Sequence, residues 1–342
     1  MRKRLPLAAA VAALSLVLAG CGSDSSSTDG ADGDGGSDAF PVTLAHAFGE
    51  TTIEAEPERV ATVAWANHEV PLALGVVPVG MSKATWGDDD GDGVLPWVED
   101  ALTELDAETP VLFDETDGID FEAVADTRPD VILAAYSGLT REEYDTLSKI
   151  APVVAYPDIA WGTDWRTMVE LNSAALGLAE DGRALIEEID AEIASAVEAR
   201  PALEGTTALF TSIDPTDLSQ IGFYTTMDPR AAFFDELGME HATAVAEGSA
   251  DTDQFWLTRS AEEADAFADL DLLVTYGDGT IVDQLRSDKL MAQIPAVANG
   301  AIAVLPNDTP LAAASNPSPL GIKWGLGDYL DLLADAAAKA EG

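Results

Sequence analysis

An α/β fold of two lobes bridged by one long helix is what this sequence predicts, and three observations carry it. Short apolar runs rich in β-formers alternate with helical patterns along the chain, the mark of α/β units. The runs fall into two groups. Between the groups lies a long stretch whose apolar residues recur at helical spacing.

The first group of strand candidates covers residues 60–64, 76–80, 131–135 and 153–156; the second covers 207–213, 272–276 and 301–305. Each run is short and continuously apolar, as expected of parallel strands covered on both faces, so each lobe is expected to be Rossmann-like. The helix between them spans residues 182–200. It places Leu185, Ile186, Ile189, Ile193 and Val197 on one face,, and Pro201 ends it,. The halves also echo each other. Glu122 precedes a short helical segment and Asp130 opens a strand; Glu263 and Asp271 repeat the pattern at the same spacing.

The N-terminus carries a different message. Arg2, Lys3 and Arg4 precede an apolar stretch from Leu5 to Leu18, then Ala19, Gly20 and Cys21. A positive start, a short apolar core and small residues before the cleavage point make a secretory leader. A cysteine directly after it resembles the lipobox of bacterial lipoproteins, in which the thiol takes a diacylglycerol. Residues 22–39 hold almost only Gly, Ser, Asp, Thr and Ala and cannot pack a core,. The expected organisation is a leader at 1–20, a lipid-anchored tether at 21–39, an N-terminal lobe at 40–165, a connecting helical region at 166–201 and a C-terminal lobe at 202–342. Cys21 is the only cysteine, so neither a disulfide framework nor a cysteine metal site can form,. The net charge is −45; loss of residues 1–20 removes three positive charges and no negative one, leaving −48. Such a surface repels nucleic acid and anionic lipid.

In open α/β sheets ligands bind beyond the carboxyl ends of the strands. The residues just beyond each strand candidate are therefore informative. Trp65-Ala66-Asn67-His68 comes after the first, Lys83 and Trp86 after the second, Tyr136-Ser137-Gly138 after the third, and Trp161 and Trp165 after the fourth. In the second half come Phe223-Tyr224-Thr225-Thr226 leading to Arg230, then Tyr276-Gly277-Asp278-Gly279, then a loop with Asn316. Trp65, Trp86, Trp161, Trp165 and Trp256, five of the seven tryptophans, are expected near these places. An aromatic cleft with few charges fits a bulky, partly apolar organic ligand. The catalytic signatures are missing: no G-x-S-x-G elbow, no H-E-x-x-H and no phosphate-binding glycine loop,. His46, His68 and His241 are scattered, which argues against a histidine-based zinc or manganese site, and His46 is expected to be structural.

Several segments resemble the iron-siderophore solute-binding lipoproteins of ABC importers: His46–Ile53, Pro57-Glu58-Arg59-Val60, residues 73–80, Asp120-Phe121-Glu122-Ala123, Arg128-Pro129-Asp130-Val131-Ile132 and Ser260-Ala261-Glu262. The resemblance runs from about residue 40 to the end. It implies two α/β lobes joined by one helix, a ligand cleft between them, modest closure, a monomer, and no catalysis and no cofactor of its own. It also implies one glutamate per lobe docking on a transmembrane permease. Glu122 fits the first; Ser260-Ala261-Glu262 favours Glu262 for the second, whereas the internal spacing favours Glu263. A lipid-anchored receptor of this kind is expected in a Gram-positive cell. Ferric catecholates and citrates are anionic and call for several arginines, whereas trishydroxamate complexes are neutral or cationic. With Arg230, Lys83 and aromatics as the candidate cleft, a ferrioxamine-like hydroxamate is the expected ligand, bound by Trp65, Trp86, Tyr136, Trp161, Tyr224, Arg230, Tyr276 and Asn316. Alternatives are haem, cobalamin or another metal chelate, and more distantly a surface-anchored hydrolase.

Residues 88–99 also satisfy the pattern of an EF-hand calcium loop. Asp88, Asp90 and Asp92 stand at positions 1, 3 and 5, Gly93 at 6 and Glu99 at 12,. A helix is expected after it, at residues 96–105, and none before it.

Overall fold

The computed structural model describes residues 39–340. Cys21, the leader and residues 21–38 of the tether lie outside the described residues. No helix among the described residues is long and apolar enough to cross a membrane.

The chain opens with an antiparallel hairpin, β1 Val42–His46 and β2 Gly49–Ile53. The first sheet comes next: β3 Val60–Thr62, β4 Gly80–Ser82, β5 Val111–Phe113, β6 Val131–Ala134 and β7 Val153–Ala155. It is wholly parallel, in the order β5-β4-β3-β6-β7. The second half contains β8 Thr207–Ser212, β9 Gln220–Tyr224, β10 Glu240–His241, β11 Trp256–Ser260, β12 Leu272–Gly277 and β13 Ile302–Pro306. Four of these form a parallel sheet in the order β10-β8-β12-β13, and β9 pairs antiparallel with β11. The order reverses between β3 and β6 in one sheet and between β8 and β12 in the other. Such switch points open a crevice at the strands' carboxyl ends.

The expected connecting helix runs Ala179–Glu198. Leu185, Ile189 and Ile193 are buried in one core cluster with Phe210, Phe234, Leu330 and Leu333, while Ile186 and Val197 are only partly covered. The helix expected after the acidic loop is Pro96–Glu104. One strand expectation needs correction, and several strands are unexpected. The run at 76–80 enters the ladder only at its end, as Gly80–Ser82, because the Val76 amide turns back to Pro71 and Pro78 has no amide to give,. Strand β5, the two-residue β10, the β1–β2 hairpin and the β9–β11 pair are absent from the sequence expectation: β5 has three residues, and β1 and β9 alternate in burial rather than forming apolar runs.

The internal echo has a structural cause. Asp130 Oδ2 accepts the amides of Glu58 and Arg59 at 3.0 Å, at the entrance of β3. Asp271 Oδ2 accepts the Thr207 amide at 3.1 Å, at the entrance of β8. Each aspartate thus pins the start of the central strand beside it.

The last helix, Pro319–Ala337, packs on both halves of the chain. Its N-cap, Ser318, makes no side-chain capping bond. The cap is supplied instead by Glu69, in the short helix Glu69–Ala73 beyond β3. Glu69 is 1% exposed. Its Oε2 accepts the amides of Leu320 and Gly321 at 2.9 and 3.2 Å, and its Oε1 accepts the Trp97 indole N–H at 2.8 Å. A carboxylate at a helix N-terminus meets unsatisfied amides and the positive end of the helix dipole. We expect Glu69→Ala to lower the unfolding free energy by at least about 3 kcal/mol, since three buried donors lose their acceptor. Urea titration of the purified protein reads this, and a loss below about 1 kcal/mol would refute the assignment.

Candidate functional site

The loops after β3 and β6 meet at the first switch point and are stitched together by a fully buried side chain, Asn67. Its Nδ2 donates to the carbonyls of Val63 and Tyr136, both at 2.8 Å, and its Oδ1 accepts the Tyr136 amide at 3.1 Å. Trp65 is flanked by Ala64 and Ala66, whose φ angles are +60° and +61°. Trp161 also has a φ of +61°. Non-glycine residues in this region carry strain that the surroundings must hold. Here all three strained positions are at or beside tryptophans facing one cavity, and Glu115 supports one of them by accepting the Ala64 amide at 2.9 Å. Gly138 matters for space: a Cβ there would overlap the Trp161 indole nitrogen.

The cavity measures about 330 Å³. Seven sequence-predicted residues line it: Trp65, Trp86, Tyr136, Trp161, Arg230, Tyr276 and Asn316. Asp228 and Phe255 complete the wall. The rings meet edge to face. Trp86 and Tyr276 have centroids 5.4 Å apart at 89°, and Tyr136 and Trp161 5.4 Å apart at 82°. Asn316 Nδ2 donates to the Tyr136 hydroxyl at 3.0 Å, and the Tyr276 hydroxyl lies 3.1 Å from Ser315 Oγ. These bonds join the loop after β6 and the end of β12 to the segment that follows the helix Pro310–Ala314. The Trp86 loop is anchored in the same region, the Gly87 amide donating to Asp308 at 2.8 Å.

Arg230 stands in the first turn of the helix Pro229–Glu236, with Asp228 as its N-cap. Its guanidinium lies 3.9 Å over the ring of Tyr224, and Nη1 is 3.5 Å from the Tyr276 hydroxyl. Burial opposes the charge on Arg230, but the paired Asp228 carboxylate raises its pKa. Burial also raises the phenol pKa values of Tyr136 and Tyr224, so both hydroxyls stay protonated.

Three expected placements differ. Tyr224 does not line the cavity itself; it forms a platform behind Arg230, with Trp256 edge-on at 4.8 Å. Trp165 is buried in the core at 1% exposure, its indole N–H donating to Glu236 at 3.2 Å. It lies on the inner face of the helix Trp165–Ala175, whereas Trp161 lies in the loop before it. Lys83 does not line the cavity; its side chain lies against Gly93 and lines a smaller neighbouring pocket with His68 and Met81. Sequence reasoning missed Asp228 and Phe255. The Asp228-Pro229 step, a helix start, was the available signal for the first; Phe255 beside Trp256 offered none.

The other candidate residues lie elsewhere. Glu122 and Glu262 are exposed. Each is the second residue after an N-cap whose side chain caps the helix, Asp120 in one case and Ser260 in the other. In this register Glu122 corresponds to Glu262, and the extra residue before Asp271 is taken up by a kink at Glu263. Glu263 is also engaged, 3.8 Å from Arg259. In the acidic loop, Asp88, Asp90 and Asp92 offer carboxylate oxygens within 4.8 Å of one another. Asp88 accepts the amides of Gly91 and Gly93 at 2.8 and 2.7 Å. Glu99 is outside this trio, and local burial and the adjacent Asp92 carboxylate raise its pKa. His46 is buried in a network with Thr51, Nε2 to Oγ1 2.9 Å, and Tyr144, as expected of a structural residue.

Comparison with known proteins gives consistent findings. The model of the family described as periplasmic binding protein matches residues 60–309. The crystal structure of Streptococcus pneumoniae PiaA in complex with ferrichrome superposes with a TM-score of 0.83 at 46% identity, covering 87% of this chain and 99% of that one. A periplasmic solute binding protein from Mycobacterium smegmatis superposes with a TM-score of 0.70 at 25% identity, covering 88% and 100%. The probable siderophore-binding lipoprotein YfiY of Bacillus subtilis is 29% identical over 181 residues, 52% of this chain. The match spans about half of that relative's length.

Glu115 supplies a pH test of how tightly the Trp65 loop is held. Burial pushes its carboxyl up from 4.5 to about 7, against the bond from Ala64. The folded state therefore holds this proton more tightly than the unfolded chain. That stabilisation is complete below pH 4.5 and is lost as pH rises through about 7,. We expect the unfolding free energy of Glu115→Gln, relative to the native protein, to rise by about 2–3 kcal/mol across this window. Parallel urea titrations at several pH values read it, and a constant difference would refute it.

Proposed function

The chain belongs to the periplasmic binding protein family, and on that premise we propose that it is the solute-binding lipoprotein of an ABC importer, with a ferric siderophore of the trishydroxamate, ferrioxamine-like class as cargo. The observation that carries the reading is the cleft, with its aromatic walls and a single guanidinium already balanced by a single carboxylate. Such a site has no set of side chains with which to ligate a bare ferric ion. Among the described residues, the one trio of carboxylates close enough to hold a metal lies outside the cleft. Burial holds the Tyr136 phenol protonated, so it is a hydrogen-bonding group rather than a phenolate ligand. The iron therefore arrives already chelated.

Three hydroxamate monoanions neutralise ferric iron, and the resulting complex has an apolar periphery with oxygen acceptors near the metal. Tryptophan and tyrosine faces cover the periphery, and Arg230 Nη1, Asn316 and the Tyr136 hydroxyl supply polar contacts. A relative at 46% identity is a ferrichrome complex, and ferrichrome is a trishydroxamate. Haem or cobalamin, the other chelates considered, would gain no axial histidine here, since none of the cleft-lining residues is a histidine. The role is binding and delivery without catalysis. Glu122 and Glu262, exposed at equivalent helix starts, are the proposed contacts to arginines of the permease, since carboxylate–guanidinium pairs steer and orient large surfaces. Cys21 is the proposed lipid anchor, on the extracytoplasmic face of a Gram-positive membrane.

Intrinsic tryptophan fluorescence tests this directly. Ferric trishydroxamates are expected to quench it at micromolar concentration or below, and Trp161→Ala and Arg230→Ala to weaken binding at least about tenfold. Glu122→Ala with Glu262→Ala should leave quenching intact and abolish uptake into cells. If ferrioxamine, ferrichrome, ferric citrate and ferric catecholates all leave the fluorescence unchanged, the siderophore reading fails.

Calcium at Asp88, Asp90 and Asp92 is a separate proposal, supported by the loop spacing and the closeness of the three carboxylates. Millimolar calcium should raise the melting temperature and alter Trp97 fluorescence in the native protein, and do neither in Asp90→Ala. No response in the native protein would end it.

A further inference from the structure

Asp228 is an acid placed in a cleft whose cargo carries ferric iron, and its charge is more than its position in the helix requires. It is 1% exposed. Its Oδ1 accepts the Arg230 amide at 3.0 Å and Arg230 Nε at 2.8 Å, and its Oδ2 accepts Nη2 at 2.7 Å. The amide bond is an N-cap, and a neutral asparagine or serine caps about as well as an aspartate. The second oxygen and the charge serve the guanidinium alone. The Nε–Nη2 edge of that guanidinium is taken by Asp228 and one face by Tyr224, which leaves Nη1 beside the Tyr276 hydroxyl.

We propose that Asp228 is the charge selector of this cleft: by binding Arg230 as an internal ion pair it sets the net charge of the lining to zero, so that neutral and cationic ferric chelates are admitted and anionic ones are turned away. The inference rests on the siderophore reading above and names the residue that decides the siderophore class. No other lining residue carries a formal charge. Without Asp228 the cleft would be cationic, an arrangement that attracts a trianion such as a ferric tricatecholate. With it, an anionic ligand meets a buried carboxylate in a medium where charges are poorly screened. Specificity then comes from a repulsive element as well as an attractive one. Arg230 keeps its hydrogen-bonding role at Nη1, held in one orientation by the fork and the ring beneath it.

The test uses the full protein at about 0.15 M salt, where exposed charges are largely screened beyond about 8 Å. Dissociation constants are measured by tryptophan quenching for a neutral ferric trishydroxamate, for ferrioxamine B with its free ammonium, and for a ferric tricatecholate. Asp228→Asn and Asp228→Ser both retain a capping oxygen and remove the charge. Each is expected to shift the ratio of tricatecholate to neutral hydroxamate affinity by at least about tenfold toward the catecholate, and to weaken ferrioxamine B relative to the neutral complex. Glu187→Gln, an exposed site on the connecting helix, removes the same charge from the surface and should leave the ratios unchanged. Ratios within about twofold of the native protein in the Asp228 variants would overturn the proposal, as would a shift of equal size in Glu187→Gln. If both Asp228 variants fail to fold, the charge serves the fold and the proposal also falls. A native protein that binds none of the three chelates refutes the siderophore reading itself, a result distinct from any of these.

Discussion

A single buried carboxylate holds the two halves of this protein in register. Glu69 lies 251 residues before Leu320, yet its side chain caps the helix that begins there. Burying the charge is costly, and burial raises the Glu69 pKa while the surrounding donors pull it down. What offsets the cost is geometry: two amides at the positive end of a 19-residue helix and an indole N–H,. The capped helix start fixes the segment just before it. Ser315 and Asn316 lie there, and they bond the hydroxyls of Tyr276 and Tyr136, both of which line the cavity. The shape of the cleft therefore depends on an interaction outside its lining.

The cleft is prepared before it is filled. Asn67 joins the loops after β3 and β6, Asp308 tethers the Trp86 loop, and Asp228 with Tyr224 fixes Arg230. The strained backbone at Ala64, Ala66 and Trp161 is held by these neighbours and by Glu115. A site whose side chains are already ordered loses little entropy on binding, so contact area converts more fully into affinity. Rigid aromatic walls also accept chelates that share a periphery and differ in backbone, which places class discrimination on the few polar groups.

Much of this was legible in the sequence because α/β architecture ties position to topology. Residues just beyond a central parallel strand end up at the switch point, so Trp65, Tyr136 and Tyr276 could be assigned without knowing any contact. The misses arise from what that rule omits. It cannot tell Trp161 from Trp165, four residues apart, because the difference is where a helix starts and which face it buries. It placed Lys83 in the cleft because it gives the strand end but not the side-chain direction. Glu69 was invisible: a glutamate among so many looks like solvation until its partners, far along the chain, are in view. The Glu262 and Glu263 ambiguity had the same root. Counting back from Asp271 assumes equal helices, whereas the cap register reveals a kink that absorbs one residue.

The position of the last helix also orders events in time. Ala313 and Ala314 sit in one core cluster with Leu72, Met81, Val94, Leu95 and Trp97, and the Glu69 carboxylate finds its amides only at Leu320 and Gly321. Two other core clusters of the N-terminal half draw only on its own residues, but this one cannot close until the final tenth of the chain is available. A polypeptide made from the N-terminus leaves this cluster incomplete until synthesis is nearly over, because these contacts are distant in sequence,. For the exported lipoprotein proposed above, such late closure of one cluster would keep part of the chain open during transit, a property written into the fold itself.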